Sequence, residues 1–330
     1  MSEGKIRVAV VGVGDFGRNH VRVYRELEGV ELVGVVDIDA ERAQKVAAEF
    51  GTTVFSDAGA LAGRVDAVSV AVPTVDHTRL GCRLLDQGID VLVEKPMAAS
   101  LAEADELIAA AQRRGRILQV GHLERFNPAI VAVEKIVNRP LFFEVHRLGV
   151  FSPRSLDVDV VYDVMIHDLD ILLALVGAPV ADLKAVGIPI LTNKVDIAHA
   201  RIEFETGAVA NVTASRVSTE RVRKMRFFQE HEYISVDYAR QDALRVRAVS
   251  PATTPGTQPR FGFEKLDTHP EEPLKAELRS FVDSVRTRSA PRVNGAAGRR
   301  ALELADRVMS GILDHASRVQ LGVSLPQASP

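Results

Sequence analysis

The stretch that most constrains this 330-residue chain is Val8-Ala9-Val10-Val11-Gly12-Val13-Gly14-Asp15-Phe16-Gly17. An apolar run of strand length stops at Gly12, glycines recur at Gly14 and Gly17, and a helix-like segment follows. A dinucleotide-binding turn needs that order. One glycine makes the tight turn, the next lets backbone N–H groups approach a pyrophosphate, and the third lets the helix pack close on the strand. The pyrophosphate then sits at the helix N-terminus, where unpaired N–H groups and the helix dipole favour negative charge. Alone, G-x-G-x-x-G is a weak signal, because a chain with 23 glycines can meet it by chance. Its context strengthens it. A second apolar run, Val30-Glu31-Leu32-Val33-Gly34-Val35-Val36, ends at Asp37, close to the ~20 residues at which an acid takes the ribose hydroxyls. An acid there also repels a 2′-phosphate, so NAD is the expected cofactor rather than NADP. The competing reading is a structural turn followed by an ordinary surface aspartate.

From Ile6 to about Val120 short apolar runs alternate with helix-period segments, the pattern of a parallel sheet covered on both faces. Strands are expected at 6–11, 31–36, 53–55, 67–72, 90–93 and 116–120, and helices at 17–27, 40–50, 76–87 and 101–114. Ser100 with Glu103 three residues on reads as a capping box, and Gly51, Gly88 and Gly115 fall just past helix ends. This is a doubly wound Rossmann-type α/β domain, whose ligand crevice lies outside the carboxyl ends of its strands.

After about Pro128 the rhythm changes. Helices are expected at 129–137 and 163–176, and strands at 141–148, 181–188, 196–205, 208–215, 223–229, 233–237 and 243–249. Glu205-Thr206-Gly207-Ala208 reads as a hairpin turn. Consecutive strands without crossovers predict an antiparallel sheet, hence a second domain of α+β type. The proline- and threonine-rich stretch 250–259 reads as a loop, and helices at 274–288 and 298–319 close the chain. The expected division is residues 1–124 for the cofactor domain and 125–330 for substrate binding and oligomerisation, the last helices packing back on the first domain.

A formal net charge of −3 gives no electrostatic reason to expect nucleic acid or an anionic membrane as partner. The one cysteine, Cys82, excludes an intrachain disulfide and a four-cysteine zinc site, and reads as an inert helical thiol. Met1-Ser2-Glu3-Gly4-Lys5 leads straight into a strand with no signal-peptide core, and no run approaches ~18 apolar residues, so a cytoplasmic protein is expected.

Two groups of residues suggest chemistry. Glu94-Lys95-Pro96 ends a strand on the crevice side, where Lys95 could serve as general base or hydrogen-bond donor to a substrate hydroxyl, oriented by Glu94. An exposed loop lysine is the plainer alternative. Asp163, His167 and Asp170 fall at i, i+4 and i+7, one face of a helix with apolar cover, which suits proton transfer. A solvated charged face is the plain alternative, and a divalent metal ion is a lesser one. Arg125 and Asn127 follow a strand end and could bind substrate oxygens, although Asn127 also suits a cap. His20, His77 and His122 lie near element ends and could face the crevice, while each alone equally suits a satisfied structural histidine. Arg154 and Arg216 could meet an anionic group, and Arg221, Arg223, Lys224 and Arg226 read as a solvated strand face.

Together, Gly12-x-Gly14-x-x-Gly17 with Arg18 and His20, Pro73 and His77, Glu94-Lys95-Pro96, Arg125-Phe126-x-Pro128 and Asp163-x-x-x-His167-x-x-Asp170 resemble the glucose–fructose oxidoreductase / inositol dehydrogenase / MocA (Gfo/Idh/MocA) family of NAD(P)-dependent sugar oxidoreductases. The resemblance covers nearly the whole chain. It implies that Lys95 and His167 stand beside the nicotinamide and the substrate hydroxyl as catalytic residues, and that Asp163 binds substrate. Arg125, Asn127, Tyr162 and Asp170 complete the expected substrate set. The expected cofactor set is Gly12, Val13, Gly14, Asp15, Phe16, Gly17, Asp37, Pro73, Thr74, His77, Glu94 and Lys95, with no metal. The family's open-faced antiparallel sheet usually pairs subunits, which implies a homodimer or homotetramer. Many members carry a glycine pair before the aspartate, whereas this chain has Val160-Val161-Tyr162, so Tyr162 and Asp159 are expected to reshape the pocket. Gly121–Pro128 and Val164–Asp168 look most like a branch that oxidises the 3-hydroxyl of a UDP-sugar such as UDP-N-acetylglucosamine. The rival substrates are inositol, a free sugar or a non-sugar carbonyl. A catalytically idle NAD-binding regulator is the rival of another class.

Overall fold

The structure, a computed structural model, describes residues 4–152, 158–250 and 260–321. Two compact units divide the chain. One comprises Met1–Phe126 with Glu271–Leu302, and the other Asn127–Pro270 with Glu303–Pro330. The first division thus falls at Phe126 rather than at residue 124, and the helix expected at 274–288 is counted with the first unit.

The first unit alternates β1 (Ile6–Val11), α1 (Asp15–Glu26), β2 (Val30–Val36), α2 (Ala40–Phe50), β3 (Thr53–Val54), β4 (Ala67–Val70), α3 (His77–Asp86), β5 (Asp90–Glu94), α4 (Leu101–Arg114) and β6 (Leu118–Gly121). Its six strands are all parallel and lie in the order β3-β2-β1-β4-β5-β6. The order reverses between β1 and β4, where this architecture opens its crevice. Every residue of β4 and β5 is buried, which accounts for their mainly apolar sequences. The helices start and stop where capping chemistry dictates. Asp39 accepts the Arg42 N–H at 3.0 Å, Ser100 accepts the Glu103 N–H at 3.3 Å, and Gly51 and Gly115 end α2 and α4 in the left-handed conformation. Glu103 turns back to the N–H of Ala99 at 3.0 Å rather than to that of Ser100. A helix from the far end of the chain, α7 (Pro273–Thr287), lays Leu274, Leu278, Phe281, Val282 and Val285 into the core built by β1, β2 and α1.

The second unit contains α5 (Pro128–Glu134), β7 (Pro140–Leu148), α6 (Ile166–Val176), β8 (Val180–Ile188), β9 (Ile197–Phe204), β10 (Val209–Ser215), β11 (Val222–Gln229), β12 (Glu232–Asp237), β13 (Asp242–Ser250) and β14 (Arg260–Lys265). The final helix, α8 (Gly295–Arg318), has its first turns in the first unit and the rest here. One eight-stranded sheet runs β14-β13-β12-β11-β7-β10-β9-β8. It is antiparallel except between β7 and β10, which pair in parallel. A strictly antiparallel sheet therefore needs this one correction. Helix α6 and the β8–β9 pair intervene in sequence between β7 and β10, and that crossover returns the chain in the same direction. Strand β14 lies beyond the expected strands, and the loop stretch 251–259 lies outside the described residues.

Candidate active site

In the first unit the glycine turn has no room for side chains at two of its three positions. Gly12 has φ +84°, and a Cβ on it would lie 2.5 Å from the Ala71 carbonyl oxygen. A Cβ on Gly17 would lie 1.8 Å from the Gly12 carbonyl oxygen, so α1 can begin this close to β1 only without one. Gly14 differs. Nothing lies within 4 Å of its would-be Cβ, and the first turn of α1 that it opens has no side-chain cap. Backbone N–H groups at an open, uncapped helix start fit a pyrophosphate. Val13 is buried, Asp15 opens α1, and the Phe16 ring is 40% exposed at the same turn.

The end of β2 is tied to this turn through Asp37. Its carboxylate accepts the Val13 N–H at 2.7 Å and the Asp39 N–H at 2.9 Å, and the Arg42 guanidinium grips both oxygens, at 3.2 and 2.8 Å. Burial alone would raise this carboxyl, but the bonds from Arg42, Asp39 and Val13 together hold it below the usual carboxylate range. Asp37 is thus charged at neutral pH and stands within one hydrogen bond of the glycine turn.

Beyond β4, Pro73 is exposed and Thr74 begins a short 3-10 turn, Thr74–Asp76. His77 is buried, with Nε2 2.9 Å from the Val72 carbonyl and Nδ1 2.9 Å from the Pro96 carbonyl. These two contacts join the segments that follow β4 and β5. Burial lowers its pKa against the pull of those two carbonyls. Glu94 closes β5 as a buried carboxylate. Its Oε2 accepts the Lys95 N–H at 3.3 Å, and its Oε1 lies 3.1 Å from Nε2 of the fully buried His20. Lys95 is half-buried as the first residue past the strand. Arg125 is half-buried in a 3-10 turn, Leu123–Phe126, and its carbonyl accepts from Arg292 at 3.1 Å. Half-buried Cys82 lies in α3, its thiol pushed up to about 11 by burial, which suits an inert side chain.

In the second unit, α6 is preceded by a wide turn. Val161–Met165 forms a single π-helical turn, closed by the Ile166 N–H on the Val161 carbonyl. Such turns need one residue more than an α turn and occur often at functional sites. Asp163 lies within this wider turn, and His167 and Asp170 follow it in α6. Asp163 and His167 are half-buried, whereas Asp170 is only 2% exposed. Among the described residues, no three His, Cys, Asp or Glu side chains are grouped to hold a metal ion.

Two expected substrate residues make hydrogen bonds within the fold. The Tyr162 hydroxyl donates to Asp306 of α8 at 2.8 Å. Asn127 caps α5, accepting the Ala129 N–H at 3.1 Å, and donates its amide to the Tyr238 carbonyl at 3.0 Å. Asp159 also serves the backbone: its carboxylate accepts the Val195 N–H and its carbonyl the N–H groups of Tyr162 and Asp163. Arg216 is no free anion receptor. It donates to Asp196 at 2.8 Å and to the Val158 carbonyl at 2.7 Å. Lys224 and Arg226 are exposed, the latter paired with Glu144, as the solvated-face reading expects. Arg154 lies outside the described residues.

One pair was missed. Asp168, next to His167, is gripped by Nε and Nη2 of Arg147 at 2.7 and 2.8 Å, and both side chains are buried. The signal was present in β7, where Phe143 and Val145 point inward and period 2 sends Arg147 after them.

Comparison with known proteins covers both units. Residues 6–122 match the family described as an oxidoreductase family with an NAD-binding Rossmann fold, and residues 144–234 match the GFO/IDH/MocA C-terminal domain. The chain is 40% identical over 304 residues to UDP-N-acetylglucosamine 3-dehydrogenase of Acidithiobacillus ferrooxidans, covering 92% of this chain and 96% of that protein. The scyllo-inositol 2-dehydrogenase (NAD(+)) of Bacillus subtilis is 30% identical over 241 residues, 66% of this chain and 69% of that one. A solved structure of the Acidithiobacillus enzyme superposes with a TM-score of 0.87 at 37% identity, covering 94% of this chain and 98% of that chain.

Proposed function

Because this chain belongs to the Gfo/Idh/MocA family of NAD-binding oxidoreductases, we propose that it is a dehydrogenase of a nucleotide sugar, oxidising the 3-hydroxyl of UDP-N-acetylglucosamine or a close UDP-sugar with NAD. The observation that carries this is the reach of the likeness. Identity to the 3-dehydrogenase extends over 92% of the chain and so through both units, whereas identity to the inositol enzyme covers 66%. When bound, NAD supplies the nicotinamide carbon that accepts the hydride. The chain's own residues do the rest. Lys95 and His167 bind the reacting hydroxyl, one of the two taking up its proton as the hydride leaves carbon, and Asp163, with Arg125 and Asp170, orients the sugar. The glycine turn from Gly12 to Gly17 holds the pyrophosphate, and the charged Asp37 favours a free ribose 2′-hydroxyl over a 2′-phosphate. A single cysteine in 330 residues fits a reducing cytoplasm, and none of the described helices is long and apolar enough to cross a membrane.

The test is a substrate panel. UDP-N-acetylglucosamine, UDP-glucose, myo-inositol and scyllo-inositol are each offered with NAD and with NADP, and reduced nicotinamide is measured. The expected result is turnover of UDP-N-acetylglucosamine with NAD to a 3-keto sugar. Turnover of an inositol with no UDP-sugar activity overturns the substrate assignment, and inactivity on all four favours the idle regulator.

Self-association through the second unit's sheet belongs to the same reading. Its support is a row of side chains in register across five strands: Phe142, Phe228, Tyr233, Val246 and Phe263. Phe228 and Phe263 are 38% and 73% exposed, and the Phe142, Phe228 and Tyr233 rings follow one another at 6.0 and 5.2 Å. An apolar row of this kind marks an interface. Light scattering should show a dimer or tetramer for the native chain and a monomer for the Phe228→Lys/Phe263→Lys variant; a native monomer refutes it.

A further inference from the structure

Asp37 has no acceptor position left over. A carboxylate offers about four lone-pair sites, and here Oδ2 takes the Val13 N–H and Arg42 Nε while Oδ1 takes the Asp39 N–H and Arg42 Nη2. The ribose hydroxyls of a dinucleotide are donors toward this carboxylate, so two of the four existing bonds must open before both can be accepted. The backbone bonds are the wrong ones to lose. The Val13 N–H belongs to the glycine turn, and the Asp39 N–H opens the loop whose Asp39 side chain caps α2. Arg42 is different in kind. Its side chain is 44% exposed, and the Asp37 carboxylate it holds is 5% exposed, so the guanidinium forms the water-facing lid of a sunken acid.

We propose that Arg42 is a releasable competitor for the ribose-binding carboxylate, and that where its guanidinium goes on release sets the discrimination between the two nicotinamide dinucleotides. With NAD, two hydroxyls replace two N–H donors on Asp37, and the guanidinium moves into water beside Asp39, whose Oδ2 lies 3.9 Å from it. With NADP, the 2′-phosphate arrives next to a carboxylate, and the displaced guanidinium is the cation within reach to offset that charge. Arg42 therefore opposes NAD and supports NADP, while Asp37 does the reverse. The inference rests on the cofactor reading above and adds a named residue to it.

Isothermal titration of the full chain with NAD and with NADP tests this without any substrate. In Arg42→Ala, NAD should bind about two- to fivefold more tightly, the scale of an exposed ion pair, and NADP at least about tenfold more weakly, the scale of a charge-assisted bond to phosphate. Arg42→Gln, which keeps donors but no charge, should weaken NADP equally. Circular dichroism confirms that α2 is retained in both variants. If the native chain binds neither dinucleotide, the cofactor reading falls. If it binds NAD but Arg42→Ala binds NAD no more tightly, or NADP no more weakly, the competition falls and the cofactor reading stands.

Discussion

Lys95→Ala and His167→Ala should each lower turnover at least about 10²-fold, the usual scale for losing a positioned proton acceptor. Oxidising a sugar hydroxyl takes a proton from oxygen as hydride leaves carbon, so a side chain must receive that proton. Lys95 stands directly after the carboxyl end of β5, the second strand past the point where the sheet order reverses, which is where such folds hold ligands. His167 follows the π turn of the second unit and is half-buried near the start of α6. Titration with NAD and circular dichroism should show the His167→Ala protein folded and able to take cofactor. Near-normal turnover in either variant removes that residue from the chemistry.

The largest effect on stability should come from Asp196. Its fully buried carboxylate accepts the N–H groups of Ile190, Leu191 and Thr192 at 2.6 to 2.9 Å, the Thr192 hydroxyl at 2.8 Å and Arg216 at 2.8 Å. Arg216 in turn holds the Val158 carbonyl, just before the Asp159 that anchors the π turn. Asp196→Asn leaves a buried guanidinium without its counter-charge, which costs about 3–5 kcal/mol, or roughly 6–20 °C in the unfolding midpoint of a unit this size. The pH dependence has a definite sign. Burial would raise the carboxyl, yet the donors around it hold it far below the ordinary range. Its stabilisation is therefore complete above the unfolded carboxyl value, near ~4, and is lost as pH falls through the lower folded value. Native and variant midpoints should converge only in strong acid. A gap that stays constant from neutral pH into strong acid would show that the charge is not what stabilises this centre.

What could be read from sequence was local. The strand, glycines, helix and acid around Val8–Asp37 are fixed by short-range rules, and α2 and α4 begin and end as their caps and glycines require. Features decided at a distance escaped. Asn127 donates to a carbonyl 111 residues away, and Tyr162 to a carboxylate 144 residues away, so no spacing rule could show that these polar groups were already engaged. The partners of His77 are main-chain carbonyls, which every residue has, so the sequence does not single them out. The parallel β7–β10 pairing depends on where a long crossover returns. Strand β14, Arg-Phe-Gly-Phe-Glu-Lys, sits at the sheet edge with its phenylalanines outward, so no core alternation marks it.

The wide turn at Val161–Met165 makes the spacing of this helix intolerant of a change in length. Taking one residue out would restore an ordinary α ladder and swing everything before the cut by about 100° against everything after it. Asp159, bound to Val195, and Asp168, bound to Arg147, pin the two ends and would oppose that rotation. Asp163 and His167 lie between those pins, so removing Val164 or Met165 from between them would move one against the other.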